Sequence, residues 1–429
     1  MKRQSSLTPI TVKGNAFMVG DKRFFVRGIA YQPGGSAANL DPLADSKVCL
    51  PDIEKFKKLG INVVRVYSTD NSKDHKDCMD ALAEAGIYVA LDVNNPLYSI
   101  NRKDPGPSYN AAYLQSVFAT IDEFEKYDNT MAFFSGNEVI HDEKETTLAA
   151  RYVKATTRDM RSYMKSRGVR QIPVGYSAAD VSDNRMQTAA YFNCGTDDER
   201  SDFFAFNDYS WCTSDFKTAG WDVKVKNFTG YGVPIFLSEY GCNKNVRDFG
   251  ELEALMSDKM TAVYSGGLMY EYSQEANKYG IVEITGSKDQ SGPRKELPEF
   301  AAYSKALAAN PAPTGLAGAV TSSNSNSSPC PAKDDFWIVQ STLLPALPDG
   351  AKAYLKDGAG KGPGLNGPGS QNAGGASTED AEPGSGTGGN STPTQSSAAV
   401  AGHMGPMEKA PFVLSGAIFI FTMIGAALL

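Results

Sequence analysis

The chain has 429 residues, of which 41% are hydrophobic, with 49 acidic against 42 basic side chains and a formal net charge of −7. That length and apolar content can fill a barrel core, which commonly takes about 250 residues or more. The mild acidity and the scattering of basic residues exclude the electrostatic footprint of a nucleic-acid binder and suit a neutral polymer as partner.

The first ten residues carry no apolar h-region, so the sequence is expected to lack the secretory leader that its other features require. Beyond them, apolar β-type runs recur at residues 24–31, 62–68, 88–94, 131–137, 172–177, 203–210, 234–238 and 267–272. Helical periodicity fills the gaps at 51–59, 75–85, 111–126, 146–166, 221–227 and 251–264. In the first of these Ile53, Phe56 and Leu59 share one face, and Gly60 supplies the C-terminal cap. Alternation of eight strands with helices predicts an α/β fold, a (β/α)8 barrel over residues 1–310.

Residues 311–347 read as an extension tied to the barrel through Cys330 and the apolar Phe336-Trp337-Ile338. From 348 to 400 the Ser/Gly/Pro-rich composition predicts a disordered stalk, with the folded part ending near Leu347. Residues 412–429 are apolar to the last residue with no basic stop-transfer group, which reads as a glycosylphosphatidylinositol attachment signal over 401–429 that is removed. The attachment residue is expected within 391–399, with Ser397 the choice, and a tail-anchored helix is the alternative. Asn227, Asn326 and Asn390 head N-glycosylation sequons.

Six cysteines, Cys49, Cys78, Cys194, Cys212, Cys242 and Cys330, include no CxxC pair, and there are three histidines. Zinc sites want closely spaced thiolates and usually imidazoles, so no metal is expected. Disulfides in an oxidising compartment fit better, and six cysteines allow fifteen pairings.

The most informative residues are two glutamates. Glu138 closes the run Thr130-Met-Ala-Phe-Phe-Ser-Gly-Asn-Glu138, and Glu239 closes Pro234-Ile-Phe-Leu-Ser-Glu239. Both fall at the C-terminal end of a strand, the fourth and the seventh, and that end of a parallel barrel is where active sites are built. Retaining cleavage of a glycosidic bond uses two carboxyl groups about 5–5.5 Å apart, one as acid/base and one as nucleophile.

The motifs Tyr31-Gln-Pro-Gly-Gly35, Arg65-Val-Tyr-Ser68, Ser135-Gly-Asn-Glu138, Asn207-Asp-Tyr-Ser-Trp-Cys212, Ser238-Glu-Tyr-Gly-Cys242 and Ser265-Gly-Gly-Leu-Met-Tyr-Glu-Tyr272 resemble the fungal β-1,3-glucanosyltransferases of glycoside hydrolase family 72. The resemblance covers Leu7 to about Leu347, and a lipid-anchor tail belongs to the family too. With no cysteine after Cys330, the chain resembles the subgroup without a cysteine-rich carbohydrate-binding module.

The resemblance implies Glu239 as nucleophile and Glu138 as acid/base, its pKa raised by the nearby Glu239 charge. It implies that Asn137 bonds the substrate 2-hydroxyl and that Gln32, Tyr67 and Asp92 bind donor glucose. Tyr209 and Tyr270 would flank the nucleophile, one donating to it, with Tyr272 an alternative by strand alternation. Arg65 is expected to order the carboxylates. The implied disulfides are Cys49–Cys78, Cys212–Cys242 and Cys194–Cys330. Partners would be a β-1,3-glucan donor and acceptor, with no cofactor, at the cell surface and wall, as a monomer held to the membrane by the lipid anchor. A hydrolytic endo-β-1,3-glucanase and a non-catalytic glucan-binding protein are the competing readings.

Overall fold

The computed structural model describes residues 7–381, save 213–214, 322–326, 340–342 and 378. Eight parallel strands close into a barrel: β1 (Val26–Ala30), β2 (Val63–Val66), β3 (Tyr88–Asp92), β4 (Thr130–Asn137), β5 (Val174–Ala179), β6 (Phe203–Asp208), β7 (Ile235–Tyr240) and β8 (Tyr264–Met269). Each strand pairs with its sequence neighbour, and β8 closes on β1. Apolar side chains from the strands fill the lower interior: Val63, Tyr88, Met131, Phe134, Phe203, Phe236 and Leu268 belong to one buried cluster. A three-stranded antiparallel sheet, Ile10–Lys13, Ala16–Val19 and Lys22–Phe24, was not anticipated. Its Phe17 packs 5.8 Å from Phe203 and 5.6 Å from Phe236, so this sheet plugs the N-terminal end of the barrel and leaves the other end open to chemistry.

The outer helices are α1 (Ser46–Leu59), α2 (Lys76–Glu84), α3 (Ala111–Phe124), α4 (Ala150–Arg167), α5 (Arg185–Phe192), α6 (Trp221–Phe228), α7 (Glu251–Leu255) and α8 (Pro298–Ala309). Helix α1 starts before the expected residue 51, because the Asp45 side chain caps the Lys47 N–H. Helix α7 is far shorter than the expected 251–264, and α5 and α8 were not anticipated. The largest shift is in the eighth strand, expected at 267–272 and found at Tyr264–Met269. A Cβ on Gly266 would stand 2.0 Å from the Val26 carbonyl oxygen. Glycine is what lets β8 lie against β1.

The three disulfides are Cys49–Cys78, Cys194–Cys330 and Cys212–Cys242, and every cysteine is paired. The first ties α1 to α2, the second joins the C-terminal extension to the chain after α5, and the third links the segments following β6 and β7.

The folded part does not end near Leu347. A helix at Lys352–Asp357, a 3-10 turn at Gly364–Asn366 and a strand at Asp380–Ala381 paired with Leu344–Pro345 continue it. Ala359, Leu365 and Ser370 are buried. Composition misleads here because small residues can form no core of their own, yet they pack closely against a surface already built. The chain divides after Gly388. Residues 382–400 of the expected stalk and the apolar 412–429 lie outside the described residues, as do Asn326 and Asn390. Among the described residues no helix is long and apolar enough to cross a membrane, and no cluster of His, Cys, Asp or Glu is arranged to hold a metal ion.

Candidate active site

Arg65 on β2 organises the upper barrel. It is fully buried, its guanidinium stacking 4.3 Å over Phe134 and 4.4 Å over Tyr67. Nε and Nη2 donate to the two carboxylate oxygens of Asp92 at the end of β3, each at 2.9 Å, and Nη1 reaches Glu239 Oε1 at 3.4 Å. A buried cation held by one carboxylate is thereby aimed at a second.

Glu239 lies within β7, one residue beyond the expected strand end, and is 7% exposed. Tyr67 donates its hydroxyl to Oε1 at 2.8 Å, and Tyr209 donates to Oε2 at 2.5 Å. Burial pushes the Glu239 carboxyl up to about 7; Arg65 opposes this, the Glu138 charge adds to it, and the Tyr209 and Tyr67 hydrogen bonds pull it back. All three donors favour the carboxylate form.

Glu138 follows β4 with φ of 48°, a left-handed conformation that costs a non-glycine residue about 1–3 kcal/mol and is concentrated at functional sites. Its N–H donates to the Ser177 carbonyl at 2.9 Å, and its carbonyl accepts from Arg102. These bonds hold the turn that lifts its side chain above the strand. Oε1 accepts from Asn207 Nδ2 at 2.8 Å. Asn207 also donates to Asn137 Oδ1 at 3.1 Å and accepts from Ser238 Oγ at 2.9 Å, beside Glu239. Ser177 Oγ bonds Asn137 Oδ1 at 2.7 Å. One amide thus bridges the surroundings of the two acids.

The motif at 207–212 contains Asn207 without marking its role. Its signal was available: it stands two residues before Tyr209, so strand alternation puts both on one face. Arg102 carried no such signal, because it reaches Glu138 from a loop 36 residues away.

Several of the expected sugar-binding residues also have partners within the protein. Tyr67 bonds the carboxylate of Glu239, and Asp92 is engaged by Arg65. Gln32 is 1% exposed; its Oε1 accepts from the N–H groups of Tyr67 and Ser68 at 3.2 and 3.1 Å, and its Nε2 donates to the Leu40 carbonyl at 2.6 Å. Tyr270 donates to Ser36 Oγ at 3.3 Å, and its ring meets those of Tyr67, Tyr209 and Tyr279 edge-on. Tyr209 is the one of the flanking pair that bonds the nucleophile candidate. Tyr272 does not share the site, because β8 ends at Met269 and alternation stops with it; its hydroxyl donates to Asp52 on α1. Glu271, which sequence reasoning passed over, is buried beside Tyr270 and accepts from Asn277 Nδ2 at 2.8 Å.

The glucanosyltransferase model of glycoside hydrolase family 72 matches residues 1–310. The chain belongs to this family. It is 60% identical over 369 residues to the 1,3-β-glucanosyltransferase Gel1 of Aspergillus fumigatus, covering 86% of this chain and 80% of that protein. It is 51% identical to the 1,3-β-glucanosyltransferase Gas5 of Saccharomyces cerevisiae, covering 83% and 73%. Among solved structures, a Glu-to-Gln variant of S. cerevisiae Gas2p with laminaritetraose and laminaripentaose superposes with a TM-score of 0.73 at 37% identity, covering 81% of this chain and 76% of that one. The family's barrel and its transferase chemistry therefore apply to this chain.

Proposed function

We propose that this enzyme cleaves β-1,3-glucan internally with retention and passes the new reducing end to the non-reducing end of another glucan, with Glu239 as nucleophile and Glu138 as acid/base. The observation that carries the assignment is the hydrogen-bonding around Glu239, which receives Tyr67, Tyr209 and Arg65 at once.

Three donors on Glu239 favour its anionic form, the nucleophile. Glu239 attacks the anomeric carbon while Glu138 protonates the departing glycosidic oxygen, giving a glycosyl-enzyme ester. Glu138, now a carboxylate, takes the proton of the acceptor hydroxyl as its oxygen attacks the same carbon, and Glu239 leaves. Asn207 holds Glu138 through both steps. Gln32, Tyr67, Asp92, Asn137, Tyr209 and Tyr270 form the donor-glucose set of this reading, with Asn137 on the 2-hydroxyl. Residues 1–310 form the catalytic barrel and 311–381 its packed extension; 382–400 serve as stalk and 401–429 as the removed attachment signal. The enzyme acts as a lipid-anchored monomer at the cell surface and wall, a reading supported by the apolar residues 412–429 and the three disulfides.

Incubation with a reduced laminari-oligosaccharide, followed by mass spectrometry, tests the reading. Products longer than the input, absent in Glu239→Gln, are expected. Shorter products alone would make the enzyme a hydrolase, and the absence of turnover would remove the assignment.

A further inference from the structure

The segment 359–371, Ala-Gly-Lys-Gly-Pro-Gly-Leu-Asn-Gly-Pro-Gly-Ser-Gln, reads as flexible linker yet lies on the catalytic end of the barrel. Gly364 N–H donates to Asn71 Oδ1 at 2.9 Å, and the Leu365 carbonyl accepts from Asn39 Nδ2 at 2.5 Å. Gly369 N–H donates to the Tyr98 hydroxyl at 3.3 Å, Ser370 N–H to the Leu97 carbonyl at 2.9 Å, and Gln371 Nε2 to the Ser99 carbonyl at 2.7 Å. Asn39, Asn71 and Tyr98 follow β1, β2 and β3 respectively, so one strap crosses the loops of three consecutive strands.

Its glycines are where the approach is closest. A Cβ would stand 2.3 Å from Asn71 Oδ1 on Gly362, 2.5 Å from Asp70 Oδ1 on Gly364, and 2.1 Å from the Tyr98 hydroxyl on Gly367. Gly364 also has φ of 65°. No side chain fits at these points without moving the loops.

The loops under the strap are bonded to each other and to the site. Asp41 Oδ2 accepts from the Asp70 N–H at 2.6 Å, and Gln32 joins Leu40 to the N–H groups of Tyr67 and Ser68. Tyr67 in turn bonds Glu239. We infer that residues 359–371 are a positioning clasp of the catalytic barrel, which holds the β1 and β2 loops in register so that the Tyr67 hydroxyl stays on Glu239. The inference rests on the proposed role of Glu239. The clasp touches no reacting atom. It acts by fixing a donor whose displacement by an ångström would weaken its bond to the nucleophile.

Gly364→Ala tests this in the full chain, with Gly362→Ala, whose Cβ would press on Asn71 in the β2 loop, as a second variant should the first fold poorly. Two readouts are taken from each folded variant. Hydrogen exchange is expected to quicken at residues 32–43 and 67–72 in either variant. In either variant, kcat for elongation of a reduced laminari-oligosaccharide is expected to fall about tenfold, the lower end of what loss of a hydrogen bond to a charged group brings. The acid limb of the rate profile should move to higher pH, because a weakened Tyr67 bond leaves Glu239 harder to ionise. Faster exchange with unchanged kcat and pH profile would mean that the strap only stabilises, and would overturn the inference while leaving the function intact. Unchanged exchange at 32–43 and 67–72 would overturn it whether or not the parent enzyme elongates glucan; a parent that fails to elongate would overturn the Glu239 assignment instead.

Discussion

Tyr209→Phe removes the donor nearest to Glu239, at 2.5 Å from Oε2, and leaves the ring in its contacts with Tyr270 and Tyr279. A hydrogen bond to a charged group contributes about 1.5–3 kcal/mol, and 1.36 kcal/mol corresponds to tenfold or to one pH unit. The bond stabilises the carboxylate against its protonated form, and it is one of the effects pulling the carboxyl back from about 7. Its loss should therefore raise the acid limb of kcat/KM by about 1–2 pH units. Below that limb activity falls by about 10–150-fold, and the deficit narrows as pH rises and Glu239 ionises. The assay is a pH series of initial rates on a reduced laminari-oligosaccharide, with melting temperature as a fold control. An acid limb that stays in place, or a deficit equal at every pH, would refute the view that Tyr209 acts by holding Glu239 as the anion.

Asp92→Asn keeps the shape of the side chain but leaves the fully buried Arg65 without its bidentate partner; removing one member of such a pair costs about 3–5 kcal/mol, to be read from urea unfolding. His75 sits between Asp41 at 2.6 Å and Glu123 at 2.9 Å, and those carboxylates raise its pKa to about 9 against the burial that lowers it. A folded-state value above the unfolded value of about 6.5 means stabilisation that is full below pH 6.5 and lost as pH rises through 9, about 3 kcal/mol in all. The fall in unfolding free energy over that window should be absent in His75→Gln. Truncation after Leu347 removes the buried Leu365 and the strap's hydrogen bonds, and should lower stability by about 3 kcal/mol or more, visible as a drop in melting temperature. Cys194→Ala with Cys330→Ala opens a link spanning 136 residues and should cost about 4 kcal/mol by the same measurement.

The barrel and the positions of its two glutamates were legible in the chain because both depend on local regularities. Strand runs such as Met131–Phe134 are continuously apolar, helices show 3–4 residue spacing, and a charge that ends an apolar strand stands out in any context. The eighth strand was misplaced by three residues because its start is set by the pairing of Gly266 with Val26 across the sheet, which is not in view along the chain. What the sequence determined alone is therefore the eight-strand alternation, the place of Glu138 and Glu239 on it, and cysteines in an even number. What only the tertiary structure decided is which groups from distant strands meet: Arg65 between Asp92 and Glu239, Tyr67 and Tyr209 on one carboxylate, Asn207 beneath the other, and a glycine-rich strap packed where composition suggested a free linker. Those contacts join residues up to 326 positions apart, and no periodicity along the chain encodes them. They arise when barrel closure brings the ends of eight strands around one axis.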